Sequence, residues 1–211
     1  MNTVGLIGLG RMGYAMAQRL TTQGISKLNV WDRDTVRVQK CLSLGCLAQD
    51  NAADVVRASE ITLVMINDDA GAQELYLDHS GIVSGCTPGR LVIEMSTLQP
   101  QTLERMSKIV EERGAHMIGA PMMGSIPTVL EGKLFLPLGG RAEHIERAMP
   151  VLRLISRQVR HLGGVGQAHA MKLAVNLTMA AYLQALAEGL AMGRSEEHTS
   201  ELQSRLHLVC R

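Results

Sequence analysis

Three glycines spaced Gly8-x-Gly10-x-x-Gly13 follow directly on the apolar run Val4-Gly5-Leu6-Ile7, and no other stretch restricts the fold as much. After them comes Met12–Leu20, with apolar residues at Met12, Met16 and Leu20, the spacing of a helix face. Each glycine answers a steric demand. Gly8 permits a tight turn out of a strand, Gly10 lets backbone approach a pyrophosphate with no Cβ in the way, and Gly13 lets the helix pack close to the strand. The bare N–H groups at the helix start, together with its dipole, attract phosphates. A second apolar run, Leu28–Trp31, ends at Asp32, about 20 residues beyond the glycines, where a carboxylate can accept hydrogen bonds from a ribose. A glycine-rich turn without a ligand would need neither the following helix nor the distal acid, so the agreement of all four elements predicts a dinucleotide-binding unit.

The rest of the chain repeats the alternation. Strand-like runs recur at Thr3–Ile7, Leu28–Asp32, Ile61–Ile66, Leu91–Met95, His116–Gly119, Leu134–Leu138 and Gln158–His161. Helical patterns lie at Met12–Thr22, Thr35–Leu44, Asn51–Ala58, Ala70–Tyr76, Pro100–Arg113 and Glu143–Ile155. Short strands that are apolar throughout, separated by helices, predict an α/β fold: a Rossmann-type, doubly wound, mostly parallel sheet with helices on both faces. In such a sheet ligands bind beyond the carboxyl ends of the strands. Those ends carry Gly8–Gly13, Asp32, Ile66-Asn67-Asp68, Ser96-Thr97 and Ala120–Ser125.

Composition narrows the function classes. The chain has 211 residues, 46% of them apolar, enough to bury a core, and a net charge of +1 with no basic block, which argues against nucleic acid as a partner. The first strand begins almost at once, so no leader is expected and the reading is a soluble, cytoplasmic protein. Cys41, Cys46, Cys86 and Cys210 lack metal-ligand spacing and read as free thiols, with no metal site expected. The apolar run from Val165 to Met192 carries Lys172, Asn176, Gln184 and Glu188 at multiples of four, a polar stripe on a buried soluble helix rather than a membrane span.

Several of these positions together resemble the β-hydroxyacid dehydrogenase family, which includes 3-hydroxyisobutyrate dehydrogenases and tartronate semialdehyde reductases. The similarity runs from about Asn2 to Gly193. Gly5-Leu6-Ile7-Gly8-Leu9-Gly10-Arg11-Met12-Gly13-Tyr14-Ala15-Met16-Ala17 is similar to the family's cofactor fingerprint. Val92-Ile93-Glu94-Met95-Ser96-Thr97 resembles the segment ending beside the nicotinamide, and Ala120-Pro121-Met122-Met123-Gly124-Ser125 stands in the place of the substrate loop. Lys172 followed by Asn176 resembles the catalytic lysine and substrate-binding asparagine of the long interdomain helix. The resemblance implies hydride transfer between NAD(P) and a small β-hydroxyacid or its semialdehyde. Lys172 would be the acid/base. Gly8, Leu9, Gly10, Arg11, Met12, Gly13, Asp32, Arg33, Ile66, Asn67 and Thr97 would hold the cofactor, and Ser96, Met123, Gly124, Ser125 and Asn176 the substrate.

A general base must take the hydroxyl proton of the alcohol, and a free lysine, with a pKa of about 10.4, is too basic at neutral pH. Burial beside a cationic nicotinamide lowers it in the needed direction; a lysine snorkelling from a buried helix to water is the alternative. Departures from the family bear on the substrate. Met123 stands where a serine is usual, Ser125 where a glycine is, Gly119 for an aspartate, Asn67 in place of Leu-Pro, and Ala168 for a glycine. Methionine donates no hydrogen bond, so a carboxylate would fall to backbone N–H groups and Ser125. His169 reads as a helix-start or surface histidine as readily as a catalytic one, His116 and His144 as structural or solvated, and Glu188 as pairing with a polar neighbour.

Asp32-Arg33-Asp34 sets two carboxylates about one arginine, which favours NAD with some tolerance of NADP. The expected organisation is a cofactor domain over residues 1–165 and, over 166–193, the first long helix of an all-α domain. That domain, otherwise missing from the chain, would cover the substrate and make a homo-oligomer contact. From Arg194 the composition changes abruptly, and Arg194–Ser204 resembles the translation of a sequencing adapter, so residues 194–211 are expected to be foreign to the fold. Two functions stay open at this point: an NAD-dependent dehydrogenase, or a dinucleotide-binding relative whose altered substrate loop supports no turnover.

Overall fold

The computed structural model describes residues 3–205, with side chains to Arg194. The chain divides into two compact units, residues 1–172 and 173–211. Within the first, a six-stranded sheet runs in the order β3 (Leu47–Ala48), β2 (Leu28–Trp31), β1 (Val4–Ile7), β4 (Ile61–Val64), β5 (Leu91–Glu94), β6 (His116–Gly119), and every neighbouring pair is parallel. This is the doubly wound order, with the switch point between β1 and β4. Helices α1 (Arg11–Thr22), α2 (Thr35–Leu42), α3 (Ala52–Ala58), α4 (Asp69–Leu77), α5 (Ile82–Gly85) and α6 (Pro100–Glu112) make the connections.

The two-residue period of the strands sorts the core into two layers. Leu6, Leu63 and Ile93 face one layer with Met16 and Leu20 of α1. Ile7, Val64 and Val92 face the other with Val55, Tyr76, Ile82 and Val110. Burial of each large aliphatic side chain is worth about 2 kcal/mol, which is why continuous apolar runs, rather than alternating ones, mark these strands.

Local sequence fixes the helix ends. Asp34, Asn51 and Asp68 accept backbone N–H groups of α2, α3 and α4 from Val36, Asp54 and Gly71. Gly45, at φ +81°, ends α2: its N–H bonds Leu42 O at 3.0 Å while Cys46 N–H bonds Cys41 O at 3.3 Å, the paired bonds of a Schellman ending. That turn sets the buried Cys41 and Cys46 together, and a thiol hydrogen bond from Cys46 lowers the Cys41 pKa while raising its own. Cys41, Cys46 and Cys86 are free and buried; Cys210 lies outside the described residues.

Past β6, α7 (Ile126–Leu130) leads to β7 (Leu134–Leu138), α8 (Ala142–Ile155) and β8 (Ser156–His161). β7 and β8 form their own two-stranded parallel sheet rather than extending the large one. Arg19 of α1 fastens this part to the six-stranded half, donating to Leu154 O at 2.8 Å and Leu130 O at 3.3 Å. Three short elements lack a sequence signature: β3 is two exposed residues, and α5 and α7 are about one turn each. α9 runs from Gln167 to Arg205, beyond the change of composition at Arg194, since the Glu, Leu, Gln and Arg of that run are good helix formers. The end of that run, residues 206–211, lies outside the described residues. In the second unit, Leu177, Tyr182, Leu190 and Met192 are exposed. Among the described residues no helix is long and apolar enough to cross a membrane.

Candidate active site

A cleft of about 850 Å³ opens at the carboxyl ends of β1, β2, β4 and β5. Gly8, Gly10, Arg11, Met12, Gly13, Asp32, Arg33, Ile66, Asn67, Ser96, Thr97 and Gly124, all named from the sequence, line it. The glycines differ in their reasons. Gly8 stands at φ +90°, and a Cβ there would strike the Met65 carbonyl oxygen; a Cβ on Gly13 would strike the carbonyl oxygen of Gly8. Around Gly10 a Cβ would meet no protein atom within 4 Å, so a side chain there would occupy the cleft itself. Gly10 is also the N-cap of α1. No side chain among the described residues caps that end and no acid sits in its first turn, which leaves backbone N–H groups for an anion.

Asp32 is buried, with Oδ2 accepting the Leu9 N–H at 2.6 Å and Oδ1 the Asp34 N–H at 2.8 Å. Leu9 does not reach the cleft; its side chain is in the core and its amide holds Asp32. Arg37 was not named from the sequence. Its guanidinium lies 3.6 Å from Asp32 and 3.2 Å from Asp34, and it lines the cleft beside Arg33. Its position three residues past Asp34 on a helix was the available signal. The turn after β2 therefore holds two acids and two bases rather than two acids and one base.

Glu94 is the second unassigned residue. Wholly buried at the end of β5, it accepts the Tyr76 hydroxyl at 2.8 Å and the Ser96 N–H at 2.9 Å. Burial pushes its carboxyl up to about 7, against the lowering effect of its hydrogen bonds, and burial next to Glu94 raises the Tyr76 phenol. Ser96 Oγ in turn accepts the Ile66 N–H at 2.7 Å.

The loop after β6 meets the cleft only in part. Met122 and Gly124 reach the cleft, but Met123 and Ser125 are not among its lining. Met123 exchanges both backbone bonds with Phe135, at 3.0 and 3.1 Å, and the Ser125 N–H goes to Thr128 Oγ1 at 2.6 Å. Neither amide is free for a carboxylate, because both are spent on a β-bridge and on the start of α7. Gly119 has a steric reason: a Cβ would sit 2.7 Å from Val165 O and 2.9 Å from His169 Nδ1.

His169 is a buried residue, not a surface one, packed into the room that Gly119 leaves. Burial lowers its pKa to about 4, against the opposing effect of the nearby Ser96 backbone, so the ring is neutral, with both of its nitrogens buried. His144 is also buried, and its ring stacks on His116 with centroids 3.8 Å apart. Lys172, one turn beyond His169, is half-buried, and burial lowers its ammonium below the ordinary lysine value. It is not part of the cleft lining. Asn176 belongs to the second unit, where Gln184 donates to Glu188 at 2.8 Å. Among the described residues, no group of three His, Cys, Asp or Glu could hold a metal ion.

An open glycine cradle, an uncapped helix start and an acid at the end of the second strand fit a dinucleotide, and comparison with known proteins agrees. The sequence pattern of the NAD binding domain of 6-phosphogluconate dehydrogenase matches residues 3–163. An NAD-dependent L-serine dehydrogenase of Pseudomonas aeruginosa is 32% identical over 193 residues, covering 92% of this chain and 64% of its own length. Glyoxylate/succinic semialdehyde reductase 1 of Arabidopsis thaliana is 28% identical over 189 residues, 90% of this chain and 65% of its own length. The chain thus spans slightly less than two thirds of these relatives. Among solved structures, Mycobacterium tuberculosis 3-hydroxyisobutyrate dehydrogenase with L-serine superposes with a TM-score of 0.84 at 23% identity, over 100% of this chain and 67% of the other, a likeness of fold. With the pattern matched across most of the first unit, the chain belongs to the family of the NAD binding domain of 6-phosphogluconate dehydrogenase.

Proposed function

We propose that the protein moves a hydride between a nicotinamide cofactor and a small β-hydroxyacid or the corresponding semialdehyde. The observation that carries this reading is the open Gly10 cradle at the start of α1, in a chain whose half-buried Lys172 has a lowered pKa. The relatives named for L-serine and semialdehydes support the substrate class, since L-serine is itself a β-hydroxyacid. When bound, the cofactor supplies the hydride acceptor. The α1 amides would hold its phosphates and Asp32 its ribose, each with acceptor or donor capacity left over. Ser96, Thr97 and Asn67 would line the reacting end.

Lys172 would take the hydroxyl proton at Nζ during oxidation and return it during reduction, and Asn176 would orient the substrate. A lowered ammonium pKa is what a base working near neutrality requires. NAD is the favoured cofactor and NADP the tolerated one. A soluble cytoplasmic protein acting on a small carboxylate, oligomeric through helical contacts, completes the reading. Residues 1–165 would form the cofactor domain and 166–193 the first helix of a second. The test is Lys172→Ala, assayed on L-serine and 3-hydroxyisobutyrate beside a cofactor titration. The expected result is a loss of about 10²–10⁴ in rate with cofactor binding retained. A near-normal kcat would remove Lys172 as the acid/base.

A further inference from the structure

The alternation of β5 turns Leu91 and Ile93 to one core layer and Val92 and Glu94 to the other, so the carboxyl enters an apolar layer beside Tyr76. No cation pairs with it among the described residues. Burying a carboxyl in this way costs stability that an amide or aliphatic residue would not cost, so fold alone gives little reason for it. One of its hydrogen bonds leads to the cleft. One oxygen fixes the Ser96 N–H, and the Ser96 hydroxyl fixes the Ile66 N–H across to the end of β4. Ser96 and Thr97 form one wall of the cleft, and Ile66 and Asn67 another.

We infer that Glu94 is a positioning residue for the nucleotide cleft: as a carboxylate anchored to Tyr76 it fixes Ser96, and through Ser96 it sets both walls. The hydrogen-bond count explains the dependence on charge. A carboxylate accepts from Tyr76 Oη and Ser96 N together, one on each oxygen. Once protonated on the oxygen that faces Ser96, the carboxyl presents a hydrogen where it held an acceptor, and the Ser96 amide loses its anchor while Tyr76 keeps its own. The titratable groups packed near this network are Tyr76 and Asp69 on α4, Cys86 after α5 and His169 on α9. Burial raises Tyr76, raises Cys86 to about 11 and lowers His169 to about 4, so these three keep one state from pH 6 to 8.5.

The inference rests on the cofactor reading above, and the experiment separates the two. NADH fluorescence titrations of the whole chain are run from pH 6 to 8.5 on the unaltered protein, Glu94→Gln and Tyr76→Phe, with circular dichroism at each pH. Losing one anchoring hydrogen bond corresponds to about fivefold in affinity. The unaltered protein should therefore bind about fivefold more weakly at pH 6 than at 8.5, with its midpoint near the Glu94 pKa of about 7. Glu94→Gln should show the weaker affinity at every pH, with a flat profile. Tyr76→Phe, which removes a donor to the carboxylate, should move the midpoint upward. If folded Glu94→Gln binds as the unaltered protein does, or keeps its pH profile, the inference is overturned. A midpoint unmoved in Tyr76→Phe would overturn it as well. Failure of the unaltered chain to bind NADH at any pH would overturn the cofactor reading, and the inference with it.

Discussion

Replacing Glu94 by glutamine should make stability climb steeply between pH 4 and 6.5, a range in which the unaltered protein stays nearly level. Two buried groups oppose each other there. The Glu94 carboxyl is raised by burial from 4.5 to about 7. Between those values the folded state keeps a proton that the unfolded chain has lost, so stability present below pH 4.5 is lost as pH rises to 7. His169 is lowered by burial from 6.5 to about 4. There the unfolded chain binds a proton that the folded state refuses, so stability present above 6.5 is lost as pH falls to 4. Each gap is about 2.5 pH units, and at about 1.4 kcal/mol per unit each slope amounts to about 3 kcal/mol.

Because the signs are opposite, the slopes cancel over most of the range, and only removal of one group exposes the other. Glu94→Gln should gain about 3 kcal/mol from pH 4 to 6.5, and His169→Asn should lose about as much from pH 4.5 to 7. At pH 8 the glutamine variant, freed of a buried charge but leaving the Ser96 amide without its acceptor, should exceed the unaltered protein by about 2 kcal/mol. Urea unfolding across this pH range, with midpoints compared at constant m-value, measures all three. Parallel curves for Glu94→Gln and the unaltered protein would refute the reasoning, since the carboxyl would then titrate alike folded and unfolded. The same substitution is expected to weaken NADH binding, so stability and binding should move in opposite directions.

Other expectations follow from the cleft. Gly10→Ala, at an extended backbone position (φ −60°, ψ −168°) with open space around it, should leave the melting temperature unchanged while NADH affinity falls at least about tenfold, a loss of about 1.4 kcal/mol. Gly13→Ala, driven into the Gly8 carbonyl, should instead cost about 1–3 kcal/mol of stability by thermal or urea unfolding. The unaltered chain should bind NADH more tightly than NADPH in parallel titrations. Arg37→Ala, which removes a countercharge from Asp32 and Asp34, should widen that preference by about two- to fivefold. A narrower preference would show that Arg37 does not offset the two acids.

What could be read from the sequence is what local rules dictate. The glycine turn, Asp32 and the ends of β4 and β5 follow from short-range spacing, and the alternating runs give a parallel sheet. Residues whose meaning depends on distant partners stayed hidden. Glu94 needs Tyr76, 18 positions away, before its burial makes sense. His169 reads as a helix-start, surface or catalytic histidine alike until Gly119 is seen to make room for its burial. The Met123 amide appears available until the β-bridge to Phe135 claims it. Helix α7 and strand β3 are too short for either period to register.

Asp32 is commonly thought of as a selector, a charge that admits one nucleotide and repels another. Here the same carboxylate also ties two loops, clasping the Leu9 amide of the glycine turn and the Asp34 amide at the entrance to α2. On the proposed function, scaffold and selector would be one side chain, so exchanging Asp32 to alter nucleotide preference would also unfasten the turn that carries the cradle. Arg33 and Arg37 are partly in solvent and bear no such duty to the backbone among the described residues. Drift or engineering of cofactor preference in this protein has its open path through those two arginines, with the acid held fixed as a hinge pin.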